Sequence, residues 1–319
     1  MIRLLIPTLI LIIISCDNKP ENEIVPLFST SDIELFWDIF DSINPDFTEE
    51  AFKNDYVDKG SVGLKDYDEL KNICPKLEAT LNNPNYLNYY KSIRENTSDL
   101  STEIAIIIQA YSTFENMYQE FSSTDVYFLV GSLSAAGKKT KNGLLIAIEF
   151  YTKSNESDIN KLDDWYTDVL KTKAYIPSVV VHELVHYQQN PHPGNHQYYT
   201  LLEQSIMEGM ADYISVQVIP DHPFFNQHLH DYADTIEAQI WSDFKTEMDQ
   251  KYSETYNWLY NGTNSSRTQP ADLAYYVGYK IVESYALQFS TMKEAIEAML
   301  TTSNYNKIYE LSKYDEKFQ

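Results

Sequence analysis

From Val179 to His192 the chain reads VVVHELVHYQQNPH. His182 and His186 stand four residues apart, so on an α-helix they are offset by ~40° around the axis and ~6 Å along it. Two imidazoles on one stripe can close on a single ion, and Zn²⁺ takes neutral histidine nitrogens at ~2.0 to 2.1 Å. Glu183, next to the first histidine, is placed to reach the coordination position that the protein leaves open. A carboxylate there can take a proton from water. The segment also reads as a helix on local grounds. Pro177 suits its first turn, Val179, Val180, Leu184 and Val185 supply apolar packing, and Pro191 forbids continuation past Asn190. The plainer alternative is an ordinary helix with two satisfied histidines, since HExxH arises by chance about once in a hundred chains of this composition. Against it, all seven histidines fall between His182 and His230.

A catalytic zinc site takes a third protein ligand, and the candidates are His192, Glu203 and Glu208. Glu203 follows Thr200 by three residues at the start of the next predicted helix, a capping-box spacing that occupies its carboxylate with backbone N–H groups. Glu208 has no such local duty. It lies in IMEGMADYI, inside an apolar helix, with Asp212 one turn later on the same face. Two carboxylates are costly to bury without a cation, so Glu208 is expected as the ligand and Asp212 as the acceptor that orients a histidine N–H. Gly209 is expected to let the metal helix approach closely. The pattern resembles the gluzincin arrangement, HExxH followed by ExxxD. The metzincin pattern, with His192 as third histidine, needs a glycine where this chain has Gln189. An oxyanion donor is sought in ADLAYYVGYKIVESY, where Tyr276 and Tyr279, beside Tyr275 and Gly278, are the candidates. His222, His228 and His230 are weaker ones.

The rest of the chain frames this helix. Ile33, Phe36, Trp37 and Phe40 recur at helical spacing in SDIELFWDIFDSI, and further helices are expected over Tyr67–Asn82, Asn85–Asn96, Thr102–Phe121, Thr200–Ile219 and in the segments after Pro270. Val126–Val130 and Leu144–Tyr151 read as two strands joined by a polar loop. The second is a candidate edge for an extended peptide, with Glu149 at its end facing either the cleft or solvent. The fold class is therefore mainly α (α+β), a helical bundle with a small β-hairpin or sheet preceding the HExxH helix.

With 24 Lys+Arg against 47 Asp+Glu the net charge is −23, a field that repels phosphate backbones and argues against a nucleic-acid partner. The N-terminus, MIRLLIPTLILIIISC, carries Arg3 and an apolar run from Leu4 to Ile14, well short of the ~20 residues a membrane span needs. Ile13 to Cys16 resemble a bacterial lipobox, which implies a signal peptide over residues 1–15, a lipidated Cys16, a tether over 16–30 and one domain over 31–319. Membrane contact is then through the N-terminal lipid alone, and Cys74 has no partner for a disulfide.

Six blocks carry a wider resemblance: NDYVDKGSVGLKDY (54–67), NYYKSIRENT (88–97), DVYFLVGSLSAAGKKTKNGLLIAIEFY (125–151), IPSVVVHELVHYQQ (176–189), EGMADYI (208–214) and YYVGYKIVESY (275–285). Together they resemble the predicted zinc-dependent protease lipoproteins of Bacteroidota related to the gliding-motility lipoprotein B group. The resemblance implies a gluzincin-like metallopeptidase fold and an envelope lipoprotein of a Gram-negative bacterium. It also implies roles for His182, Glu183, His186, Glu208 and Asp212 at one Zn²⁺ ion. The loop after Val130 departs from the group, which is richer there in glycine and threonine. The expected function is a zinc peptidase acting on a peptide or protein substrate. The alternatives are a catalytically silent envelope lipoprotein that binds protein partners, and a metal buffer.

Overall fold

The computed structural model describes residues 26–157, 159–189, 199–262, 264 and 266–319. Cys16 and His192 lie outside them. No helix among the described residues is long and apolar enough to cross a membrane.

Helices build the N-terminal third, as the apolar spacing predicts. α1 (Ser31–Ile43) buries Ile33, Phe36, Trp37 and Phe40. The single turn α2 (Glu49–Ala51) runs into a π-helical turn, Phe52–Val57, that the sequence does not announce. The helix expected over Tyr67–Asn82 is two, α3 (Val62–Lys71) and α4 (Ile73–Leu81), because Asn72 adopts φ 50° and ends the first. α5 (Pro84–Thr97) and α6 (Ser101–Met117) follow, the latter stopping where Tyr118 turns extended.

The sheet departs from the expected pair of strands. Its order is β1 (Phe28–Ser29), β2 (Val126–Leu129), β4 (Gly143–Ala147), β3 (Gly137–Thr140). The polar loop itself holds β3, which pairs antiparallel with β4, while β2 and β4 run parallel. β1 comes from the end of the expected tether and pairs with β2. β4 is therefore an internal strand, buried throughout, and not the edge anticipated for a peptide. It ends at Ala147, where Ile148–Phe150 wind into a 3₁₀ turn. The two edges are β1 and β3.

Beyond the short α7 (Asp164–Val169), α8 (Ile176–Gln188) carries the HELVH motif and packs on β3 and β4. α9 (Leu201–Val218) packs on α8, and after α10 (Gln227–Ala233) and α11 (Glu237–Lys245), α12 (Ala274–Ala286) packs on α9. α13 (Met292–Thr301) and α14 (Tyr305–Ser312) close the chain. The α9–α12 crossing is the tightest. A Cβ on Gly278 would lie 1.7 Å from the Ser205 carbonyl oxygen, and one on Gly209 would lie 2.1 Å from the Gly278 backbone. Gly209 thus admits α12 rather than α8, a correction to the expectation, and the two glycines fix the depth at which α9 sits.

Candidate metal centre

α8 starts with proline in its first turn and buries most of its surface, so its two histidines face a packed neighbour. That neighbour is α9, whose N-terminus is closed by the expected capping box. The Thr200 N–H donates to Glu203 Oε2 at 2.9 Å and the Glu203 N–H to Thr200 Oγ1 at 3.2 Å. Glu203 is thereby removed from the ligand candidates. Glu208 is buried, with 5% of its surface exposed, and turns toward α8.

Three donor atoms meet there. His182 Nε2 and His186 Nε2 are 3.1 Å apart, and Glu208 Oε2 lies 3.0 Å from the second and 3.5 Å from the first. Tetrahedral ligands at zinc–nitrogen and zinc–oxygen distances are separated by about 3.3 Å. The opposite ring nitrogens are engaged elsewhere: His182 Nδ1 faces Asp212 Oδ1 at 2.9 Å, and His186 Nδ1 faces Gln189 Oε1 at 2.8 Å. Both partners are acceptors, which puts the protons on Nδ1 and leaves lone pairs on both Nε2 atoms. Two such lone pairs and a carboxylate oxygen facing one another repel unless a cation lies between them. The donor set of two imidazoles and one carboxylate suits Zn²⁺. A group of three such side chains within 4.8 Å of one another is found only here among the described residues.

The field agrees. Burial disfavours charge on His182, yet the hydrogen bonds to Asp212 and Glu208 prevail and hold it up to about 10. Burial opposes charge on Glu208 too, but the His186 and His182 rings hold it well below the ordinary carboxylate range. An outer ring of hydrogen bonds holds the side chains of the cluster. Asn226 Nδ2 donates to Asp212 Oδ2 at 2.7 Å, Gln189 Nε2 to the Met207 carbonyl at 2.8 Å, and Gln204 and the Tyr260 hydroxyl to Glu208 Oε1 at 3.0 and 2.7 Å.

Glu183 sits beside the cluster over the β3 edge of the sheet. A Cβ on Gly137 would lie 2.7 Å from Glu183 Oε1, so the glycine makes room for the carboxylate. Both residues line a pocket of about 520 Å³ together with His182, His186 and Glu208. Tyr275 also lines it, its ring stacked on His182 at 6.2 Å.

Two anticipated residues lie elsewhere. The Tyr276 hydroxyl donates to Asp234 Oδ1 at 3.0 Å, and Tyr279 packs among Tyr213, Phe224 and His230. Neither lines the pocket, because at 100° per residue it is Tyr275 that α12 turns toward His182. His230 is enclosed with them, and His222 and His228 are also off the cluster. Tyr260, Gln204, Gln189 and Asn226 are neighbours of the cluster that sequence reasoning missed. Only Gln189 left a trace, standing three residues after His186.

Glu149 faces neither cleft nor solvent. It is fully buried and accepts the N–H groups of Gly131 and Leu133 at 2.9 and 3.1 Å. Burial pushes its carboxyl up to about 7. Four tyrosine hydroxyls donate to backbone around it: Tyr56 to Val130, Tyr90 to Gly131, Tyr67 to Ala135 and Tyr89 to Glu149 itself, at 2.8, 2.7, 2.5 and 2.6 Å. The segment from Val130 to Ala135, whose end walls the pocket, is thus nailed to the N-terminal helices.

A family described as gliding motility protein GldB matches residues 18–316. No curated protein and no solved structure matches the chain. The match spans nearly the whole sequence, so the chain belongs to the gliding motility protein GldB family, a family of envelope lipoproteins.

Proposed function

We propose that this member of the GldB family is a zinc-dependent peptidase of the cell envelope, held at the membrane by lipid on Cys16. The supporting observation is the meeting of two imidazole lone pairs and one carboxylate oxygen within 3.5 Å, with Glu183 beside them in a pocket. Zn²⁺ bound there supplies a Lewis acid for the scissile carbonyl and lowers the pKa of water. Glu183 takes the proton of the attacking water and passes it to the departing amine. Asp212 and Gln189 hold the histidine rings, while Tyr260 and Gln204 hold Glu208. β3, the free edge beside Glu183, offers backbone groups to an extended peptide.

The test is the Glu183→Gln variant beside wild type, both assayed for zinc content and for cleavage of a broad peptide library. Retained zinc with hydrolysis lower by about 10² to 10⁴ supports the reading. Undiminished hydrolysis removes Glu183 from the mechanism.

A second reading has its own support, because the family's description speaks of gliding motility. On it, the protein is a catalytically silent envelope component that works by binding other envelope proteins, with the metal centre serving to lock α8 to α9. A fully zinc-loaded wild type that cleaves nothing in the library favours this reading over the first.

A further inference from the structure

The pocket has a basic end. Lys71 and Lys138 line it together with Ser134, Gly137 and Glu183. Lys71 is the last residue of α3, and the Lys76 ammonium donates to its carbonyl oxygen at 2.6 Å. Lys138 is the second residue of the edge strand β3. The chain carries 47 acidic residues against 24 basic ones, and several of its cations meet acids: Lys53 meets Asp58 and Asp68, Arg94 meets Asp41, Lys317 meets Glu237. Among the described residues neither Lys71 nor Lys138 has a carboxylate partner. Burial lowers the proton affinity of Lys71, and the charges beside it are those of Lys138 and Lys76. Lys71 and Lys138 thus stand near enough at one end of the cleft for each charge to be felt by the other.

We infer that Lys71 and Lys138 form a carboxylate subsite, so that the cleft takes peptides carrying an acidic side chain or a free C-terminus near the bond attacked. The inference rests on the peptidase reading and adds a substrate class to it. Register sets the spacing. Gly137 touches Glu183 and Lys138 is the next residue, while an extended peptide advances about 3.3 to 3.6 Å per residue. With lysine side chains of about 6 Å, the carboxylate belongs one or two residues from the scissile bond. A polyanion fits less well, since a net charge of −23 repels it at long range, and the Glu183, Glu208, Asp212 and Asp272 carboxylates in the same pocket confine a bound carboxylate to the end where Lys71 and Lys138 stand.

The test uses full-length zinc-loaded protein with Glu183→Gln to prevent turnover, and fluorescein-labelled octapeptide pools that differ only in Asp against Asn, or in a free against an amidated C-terminus. Fluorescence polarisation should show the carboxylate-bearing pool binding about tenfold more tightly, less so at high salt. The Lys71→Ala/Lys138→Ala double variant should lose that preference while keeping its zinc and its circular dichroism, and the Lys71→Arg/Lys138→Arg variant should retain most of it. Which pair of pools differs identifies side chain or C-terminus as the source. Equal binding of all pools by the otherwise unaltered protein overturns the subsite alone. If the double variant instead loses binding to phosphatidylglycerol vesicles with its peptide preference unchanged, the lysines serve a membrane and the inference fails. Absence of binding to any pool overturns the peptidase reading and this inference with it.

Discussion

Glu208 lines the pocket and Glu149 lies behind the segment that leads to its wall, and burial alone treats the two carboxylates alike. Glu149 and Glu208 both lose water, which penalises their charged forms. Their partners then separate them. Glu149 is met by backbone N–H groups and tyrosine-pinned loop, which compensate only in part, and its carboxyl rises to about 7. Glu208 is met by two imidazoles and stays well below the ordinary carboxylate range. The first arrangement tolerates a neutral acid and serves to hold a wall in place. The second makes sense only with positive charge at its centre. Difference in partner, not in depth, is what distinguishes a structural carboxylate from a candidate ligand.

The comparison breaks most visibly at Glu208. Glu208→Ala should lower zinc affinity by on the order of 10³-fold, since it removes one of three ligands and leaves Gln204 and Tyr260 pointing at a void. Glu149→Ala should leave zinc affinity within about threefold of wild type while lowering stability by several kcal/mol, because two buried N–H groups lose their acceptor. Metal titration of the two variants by competition with a chromophoric chelator checks both. Equal loss of zinc in the two would mean that the wall and the centre are one unit.

The pH dependence sharpens the same contrast. The folded-state pKa of Glu149 is raised from 4.5 to about 7. A raised carboxyl binds a proton more tightly in the folded state than in the unfolded chain, so its contribution is fully present below pH 4.5 and is lost as pH rises to 7. At 1.36 kcal/mol per pKa unit, the loss over that window is about 3 kcal/mol. Urea denaturation at pH 5 and pH 8 should therefore show wild type losing more stability than Glu149→Gln by roughly that amount. Identical losses would mean that Glu149 is solvated or already ionised at low pH.

How much of this was legible follows from where local rules operate. His182, Glu183 and His186 share a helix, so their spacing alone sets their geometry. Glu208 and Asp212 stood out because an apolar helix gives two carboxylates no local occupation, and Glu203 was excluded by its box with Thr200. Tyr276 and Tyr279 failed because the phase of α12 is set by a tertiary contact, Gly278 against the Ser205 carbonyl, that no period in the sequence encodes. Tyr260 was hidden for another reason. It stands in an irregular segment at φ 53°, tied through its N–H to Asp272, itself at φ 60°. β3, with the sequence GKKT, lacks the β-branched and aromatic residues that announce a strand, and it exists because β4 supplies a partner. Glu149 was misplaced because alternation was extended past Ala147, where the strand has already become a 3₁₀ turn.

The smallest expected effect lies in the ring around the ligands. Asp212→Asn keeps the shape of the side chain but removes the charge that meets His182 Nδ1, and Gln189→Ala leaves His186 Nδ1 without its acceptor. Each should cost about 10- to 100-fold in zinc affinity, the range seen when an outer partner of a ligand is lost. Asp212→Asn belongs at the upper end, since His182 loses both an acceptor and a negative charge, whereas His186 loses a neutral amide that water can replace. If the two variants instead bind zinc as tightly as wild type, the rings are held by packing alone, and the proton assignment that leaves both Nε2 lone pairs facing the centre loses its support.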